Sequence, residues 1–258
     1  MTDRVTLSAL QQMKGDRRKI VAVVAYDCQM AMIADRAGVE IVSAGDSVGV
    51  NLWGHRREEE LTIDQMLLIC QAVRRGVARA LVSCDLPIQS LSEASDAPVR
   101  AAVRLAGEGG ADLVKVDAAA SSPDTVGAIV RAGVPVWAQF GTSEAAAAPD
   151  RLVGEAQRLE QAGASLLDFR FSGPVAGPAV VRAVNVPVIG GLGGGPWLDG
   201  RIRSIVVAVG YLASAIDDGR ERYANVAATT LSAVRNLCED VRAGRPLRGE
   251  TDPARPLR

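Results

Sequence analysis

Leu81-Val82-Ser83-Cys84-Asp85-Leu86-Pro87 is a short apolar run that ends on an acid and is stopped by proline. The same construction appears in Val42-Ser43-Ala44-Gly45-Asp46-Ser47 and in Leu113-Val114-Lys115-Val116-Asp117. Each reads as a buried strand whose polar residue falls where the strand ends. With these counted in, the strand candidates are Ile20 to Tyr26, Glu40 to Ala44, Arg79 to Cys84, Asp112 to Val116, Val134 to Gln139, Ser165 to Phe171, Val186 to Gly190 and Ile205 to Val209. Helical stretches separate them: Met30 to Ala37, Ile63 to Arg75, Ala97 to Glu108, Thr125 to Ala132, Pro149 to Ala162 and Pro178 to Val184. Several stop at a glycine (Gly38, Gly76, Gly109, Gly133, Gly163), the residue that accepts a left-handed stop conformation. Strict strand-helix alternation with eight strands predicts an α/β fold, a (β/α)8 TIM barrel, with a doubly wound open sheet as the alternative.

In such a barrel the C-terminal strand ends share one mouth. Tyr26, Asp27, Asp46, Asp85, Asp117, Gln139 and Arg170 are expected to converge there. Carboxylates are costly to bury without a partner, and a divalent cation is the usual partner for several together. Any one of the acids alone reads equally well as a helix cap or as the partner of a nearby arginine, but together with Lys115 they favour chemistry. Beyond the barrel, Tyr223 to Ala243 is expected to be one more helix, with Val226, Leu231, Val234, Leu237 and Val241 on one face for docking or for an interface. The expectation is a single domain over 1–258, with a mobile Pro- and Arg-rich tail over 246–258.

Composition narrows the function classes. A chain of 258 residues, 48% apolar, can bury a full core, and a net charge of -1 with 3% aromatic residues gives neither a basic field nor stacking platforms for nucleic acid. No apolar run is long enough to span a bilayer, and Met1-Thr2-Asp3-Arg4-Val5 lacks the pattern of a secretory signal, so no membrane role and a cytoplasmic location are expected. Cys28, Cys70, Cys84 and Cys238 have no paired spacing and read as reduced thiols.

Val24-Ala25-Tyr26-Asp27, Ala34-Asp35-Arg36-Ala37-Gly38, Ala44-Gly45-Asp46-Ser47-Val48-Gly49, Gly54-His55, Asp85-Leu86-Pro87, Gly110-Ala111-Asp112-Leu113-Val114-Lys115 and Val186-Pro187-Val188-Ile189-Gly190 occur in an order that resembles the ketopantoate hydroxymethyltransferase family over most of the chain. The resemblance implies a barrel of the phosphoenolpyruvate mutase and isocitrate lyase superfamily, and a homo-oligomer that in the family is typically a decamer. It implies transfer of a one-carbon unit from methylenetetrahydrofolate to 2-oxoisovalerate through an enolate held on Mg2+ or Mn2+. By resemblance Asp46 and Asp85 ligate the metal. Asp117 replaces a family glutamate and reaches the ion through water, and Ser47 and Lys115 hold the substrate carboxylate, with Tyr26, Gln139 and Arg170 as further substrate contacts. His55 reads as loop structure.

Three departures mark this chain as a divergent paralogue. Arg170, in Leu166-Leu167-Asp168-Phe169-Arg170, stands where the family has its proton-abstracting glutamate, and a guanidinium stays protonated at any accessible pH. Gln139 replaces a family histidine, and Ala145-Ala146-Ala147-Ala148-Pro149 stands in place of a longer glycine-rich loop. Val206-Val207 occupies the position of a family His-Asp pair, read here as part of the eighth strand. Asp168 shares a face with Arg170 and reads either as a relocated base or, more simply, as its ion-pair partner; Asp168, Arg170 and Lys115 are the catalytic candidates. Gly190-Gly191-Leu192-Gly193-Gly194-Gly195-Pro196 reads as a mouth loop or a phosphate site, and Trp197 as a ligand cover or a packing residue. Three functions fit: a hydroxymethyltransferase-like enzyme on a small-molecule 2-oxo acid, a metal-dependent carbon-carbon lyase or decarboxylase acting on a 2-oxo acid with a second acidic group, or a noncatalytic paralogue.

Overall fold

The computed structural model describes residues 4–92, 96–141 and 148–249. The chain divides into two compact units, residues 1–205 and 206–258. In the first, strands β1 (Ile20–Ala25), β2 (Ile41–Ala44), β3 (Leu81–Asp85), β4 (Leu113–Val116), β5 (Val136–Phe140), β6 (Leu166–Phe169), β7 (Val188–Gly190) and β8 (Gly200–Ser204) close a barrel in chain order. All neighbours are parallel, with β1 closing on β8 through Ile20 opposite Gly200. The helices are α1 (Leu7–Gly15), α2 (Cys28–Ala37), α3 (Ile63–Gly76), α4 (Ile88–Ser92), α5 (Ala97–Gly107), α6 (Pro123–Arg131), α7 (Pro149–Gln161) and α8 (Ala176–Ala183). The (β/α)8 barrel expected from the alternation is therefore the observed fold.

Local chemistry sets the helix ends. Thr62 accepts the Gln65 N–H while Gln65 accepts the Thr62 N–H, a reciprocal cap that starts α3. Asp27 caps α2 by accepting from Met30 N–H at 2.8 Å, so it serves the helix and not the mouth. Gly38 ends α2 at φ 92°.

The floor of the barrel is apolar. Ile20, Ala22, Ile41, Leu81, Leu113, Trp137, Leu166, Ile189 and Ile202 form one buried cluster with Val5, Leu10 and Met13, which lie in and just before α1. The sequence reading did not anticipate α1, whose helix starts on a Thr6 cap and turns Leu10 and Met13 into the floor.

The eighth strand departs from expectation. It is Gly200–Ser204, not Ile205 to Val209; Ile205–Ala208 is instead a short helix, α9, and holds Val206 and Val207. Gly200 lies so close to β1 that a Cβ would sit 2.3 Å from the Ile20 carbonyl oxygen, which requires glycine there.

The second unit contains α10, Val226–Arg242, three residues shorter at its start than expected because Asn225 caps it, accepting from Ala228 N–H at 3.0 Å. The Asn225 amide also donates to the Ala215 carbonyl at 2.9 Å, tying the helix start to the preceding turn. Of the expected mobile tail, residues 250–258 lie outside the described residues, as do residues 145–147 of the alanine run.

Leu10 is fully buried in the floor. Leu10→Ala is expected to cost roughly 2–5 kcal/mol of unfolding free energy, read as a lower urea midpoint, because it leaves a cavity between α1 and the barrel.

Candidate active site

Side chains alternate along a strand, so the inward set is counted upward from the floor in steps of two. Above Ile41, Leu81, Leu113, Trp137, Leu166 and Ile202 stand Ser43, Ser83, Lys115, Gln139, Asp168 and Ser204. One step higher come Asp85, Asp117 and Arg170, with Asp46 in the turn after β2. The interior thus changes from apolar to ionic within two residues, all at the C-terminal strand ends.

Lys115 organises this layer. Its Nζ donates to Asp117 Oδ1 at 2.9 Å and lies 3.8 Å from Asp85 Oδ1 and 3.7 Å from Asp168 Oδ2. Asp117 Oδ1 also accepts from Gln139 Nε2 at 2.7 Å, and Gln139 Oε1 accepts from Arg170 Nη1 at 3.1 Å. Asp85 accepts from Ser43 Oγ at 3.3 Å and from the Asp46 N–H at 3.4 Å. Asp168 Oδ1 accepts the Gly191 N–H at 3.1 Å, tying β6 to the glycine-rich loop. One network therefore joins Asp46, Asp85, Lys115, Asp117, Gln139, Asp168 and Arg170.

A second cluster centres on the buried Tyr26. Its hydroxyl lies 3.0 Å from Ser47 Oγ and 3.1 Å from Ser204 Oγ, and accepts from Asn51 Nδ2 at 2.8 Å. Ser43, Asn51, Ser204 and the Gly191 N–H were not anticipated as site groups. Ser43 was legible from the two-residue step along β2; Ser204 was hidden by the misplaced eighth strand.

The expected ion pair between Asp168 and Arg170 is not formed. The Asp168 carboxylate is taken by Lys115 and Gly191, and the Arg170 guanidinium turns to Gln139. The backbone turns through the left-handed region directly after two of these residues: Phe171, after Arg170, has φ 53°, and Ala118, after Asp117, has φ 49°. A left-handed non-glycine residue is strained, and such strain is typical of sites where the backbone must re-aim a side chain.

His55 is loop structure, as expected. Its ring packs edge-on against Trp53 and its N–H donates to the Gly49 carbonyl. Trp197 packs against Gly177 and Gly195 and donates to Ser172 Oγ at 2.8 Å, so it is a packing residue. The glycine run serves the same end, since a Cβ on Gly195 would meet the Trp197 ring and one on Gly190 would meet Leu198.

Burial shapes the charges. Desolvation raises the Asp46 carboxyl to about 8, the neighbouring Asp85 and Asp117 charges add to the rise, and Lys115 opposes it. Desolvation also raises Asp85 and Asp168, again against Lys115. For Lys115 burial alone would favour the neutral amine, but Asp117, Asp85, Asp168 and Asp46 together outweigh it and raise its proton affinity well above normal.

Among the described residues, Asp46 Oδ2 is buried with no hydrogen-bond partner. An unpartnered carboxylate oxygen beside a second carboxylate fits a hard cation, which supplies the missing charge and accepts oxygen ligands. Among the described residues no three His, Cys, Asp or Glu side chains are arranged to hold a metal ion, so the fit is to the Asp46 and Asp85 pair. Asp117 is turned toward Lys115 and Gln139 through one oxygen; its Oδ2 has no protein donor among the described residues.

Fold and site together define a parallel (β/α)8 barrel with an acidic, lysine-centred mouth. The backbone is similar to that of 2,3-dimethylmalate lyase, itself a member of the phosphoenolpyruvate mutase and isocitrate lyase superfamily (TM-score 0.64, 14% identity, covering 97% of this chain and 92% of that one). It is similar also to phosphonopyruvate hydrolase in complex with oxalate and Mg2+ (TM-score 0.63, 16% identity, covering 98% and 92%). The model of the ketopantoate hydroxymethyltransferase family matches residues 4–246, and the chain belongs to that family. It is 34% identical over 252 residues to the 3-methyl-2-oxobutanoate hydroxymethyltransferase of Cyanothece sp., covering 92% of this chain and 96% of the relative. It is 35% identical over 257 residues to that of Aeropyrum pernix, covering 94% and 92%.

In the unfolded chain Asp46 ionises near 3.8, but in the folded, metal-free protein it keeps its proton to about 8. Between those values the folded state binds more protons than the unfolded, so stability falls as pH rises and the loss is complete above about pH 8. Asp46→Asn, a neutral isostere, is expected to be more stable than wild type at pH 8.5 by on the order of a few kcal/mol, with the difference gone at pH 4. Urea unfolding in chelator at the two pH values measures it.

Proposed function

We propose that this protein is a metal-dependent hydroxymethyltransferase-like enzyme that acts on a 2-oxo acid through its enolate. The observation that carries the reading is the unpartnered Asp46 oxygen beside Asp85 at the mouth of a barrel belonging to this family. Asp46 and Asp85 would hold Mg2+ or Mn2+, with Asp117 acting through water. When bound, the ion supplies a Lewis acid that favours the enolate of a 2-oxo acid. Mg2+ is commonly held by one or two carboxylates with waters and substrate oxygens completing its shell, so a two-carboxylate cradle is sufficient.

The chain's own residues divide the remaining work. Lys115 stays protonated and holds Asp85, Asp117 and Asp168 in register. Ser47, with Tyr26 behind it, presents a hydroxyl to the substrate carboxylate. Arg170 cannot accept a proton, so the base role falls to Asp168. Its Oδ1 is fixed by Gly191 while Oδ2 has, among the described residues, only the distant Lys115, and its burial raises its proton affinity toward that of an effective base. Methylenetetrahydrofolate is the one-carbon donor in this reading.

Two measurements test it. Millimolar Mg2+ should raise the thermal midpoint of wild type and leave Asp46→Asn and Asp85→Ala unmoved, since binding to the folded state alone stabilises it. An unresponsive wild type removes the metal. With Mg2+ present, wild type should exchange the β-proton of 2-oxoisovalerate for solvent deuterium, followed by proton NMR, and Asp168→Asn should lose at least about a hundredfold in rate, the scale of one general base. Exchange that survives in Asp168→Asn assigns the base elsewhere.

A further inference from the structure

Arg170 is a half-buried cation without a counter-ion among the described residues. It lies one residue past β6, on the face that carries Leu166 and Asp168. Its backbone is fixed: the N–H donates to the Phe140 carbonyl at 3.0 Å, and its own carbonyl packs so tightly on Gly141 that a Cβ there would sit 2.2 Å away. Gly141 at φ 110° and Phe171 at φ 53° hold the two chain turns around it.

The guanidinium carries five N–H donors, and among the described residues it has a single partner, the neutral Gln139 Oε1. No carboxylate lies within ion-pair distance of it among the described residues, although Asp168 is two residues away and committed to Lys115 and Gly191. Gln139 is held in turn, because its Nε2 donates to Asp117 Oδ1 and only its carbonyl oxygen can then face Arg170. Asp117, Gln139 and Arg170 stand on the consecutive strands β4, β5 and β6, or at their ends. The mouth therefore presents acids for a cation on the β2 and β3 side and, on the β6 side, an oriented guanidinium unpaired with any carboxylate of the described residues. A fork of donors kept free of carboxylates and braced by a neutral amide is suited to bidentate capture of an oxyanion.

We propose that Arg170 is the receptor for a second anionic group on the substrate, a carboxylate or phosphonate carried beyond the 2-oxo acid head. The chain on this view takes di-acidic 2-oxo compounds in preference to a branched-chain 2-oxo monoacid. Arg170 sets specificity in this assignment, and Gln139 is its positioning residue. The inference rests on the 2-oxo acid reading above.

Calorimetric titration of the full chain in Mg2+ with 2-oxoisovalerate, 2-oxoglutarate and phosphonopyruvate tests it. At least one di-acid should bind about tenfold or more tightly than 2-oxoisovalerate, and Arg170→Gln should remove that preference, bringing the ratio of the two affinities to within about threefold of one. Arg170→Lys, which keeps the charge without the fork, should keep part of the preference and guards against a folding defect in the glutamine variant. Equal or weaker binding of both di-acids by wild type overturns the assignment, as does a preference that survives in Arg170→Gln. The Mg2+ midpoint shift of wild type, measured without any acid, separates the two readings. If the shift is present and affinities are equal, only the Arg170 assignment falls; if it is absent, the metal reading falls whatever the titrations give.

Discussion

The ammonium of Lys115 among Asp85, Asp117 and Asp168 is the interaction on which the mouth depends. At an effective dielectric of about 20, two like charges 4 Å apart repel by roughly 4 kcal/mol, so clustered carboxylates disperse unless a cation sits between them. Lys115 reaches all three from one atom, with the close contact to Asp117 and looser ones to Asp85 and Asp168. The carboxylates in turn keep the lysine charged in a position where burial alone would neutralise it. Neither side is stable in its ionised form without the other, which makes the cluster a single unit.

That unit exists because of strand periodicity. The two-residue step that puts Leu113 in the floor puts Lys115 above it and Asp117 at the rim, and the same step carries Leu81 to Ser83 to Asp85 and Leu166 to Asp168 to Arg170. Parallel pairing sets Asp85 opposite Lys115 and Gln139 opposite Asp168, so the network runs from strand to strand. A one-residue slip in any strand would turn its site residue outward and an apolar neighbour inward. Packing of the floor and placement of the charges are thus one constraint.

This logic decides what was legible beforehand. Asp46, Asp85 and Asp117 announce themselves because an acid ending an apolar run is conspicuous. The eighth strand does not: Gly200-Arg201-Ile202-Arg203-Ser204 has one large apolar side chain, whereas Ile205-Val206-Val207-Ala208-Val209 has the β-branched composition of a strand and is partly helical. Strand propensity measures fit to a half-buried pleated surface, and β8 turns its two arginines outward and exposed while Ile202 alone reaches the floor. The partner of Asp168 was also beyond reach of sequence. Spacing along one strand favours Arg170, but Lys115 approaches from β4 across the barrel and the left-handed Phe171 accompanies the turn of the guanidinium toward Gln139.

The count of charges carries the last step. Asp46, Asp85, Asp117 and Asp168 face Lys115 and Arg170, leaving the mouth two positive charges short when all six are ionised. Without a metal the shortfall is met by protons, above all on Asp46, whose unpartnered oxygen and raised affinity have the same origin. A divalent cation closes the difference without a proton. The compensation is uneven in space: the acids near Asp46 and Asp85 gather one pole, while Arg170, braced by a neutral amide, forms the other. A polarised mouth of this kind favours a ligand with an anionic group at each end over one with an anionic head and an apolar tail. Arg170 is the charge at this mouth that distinguishes those two shapes.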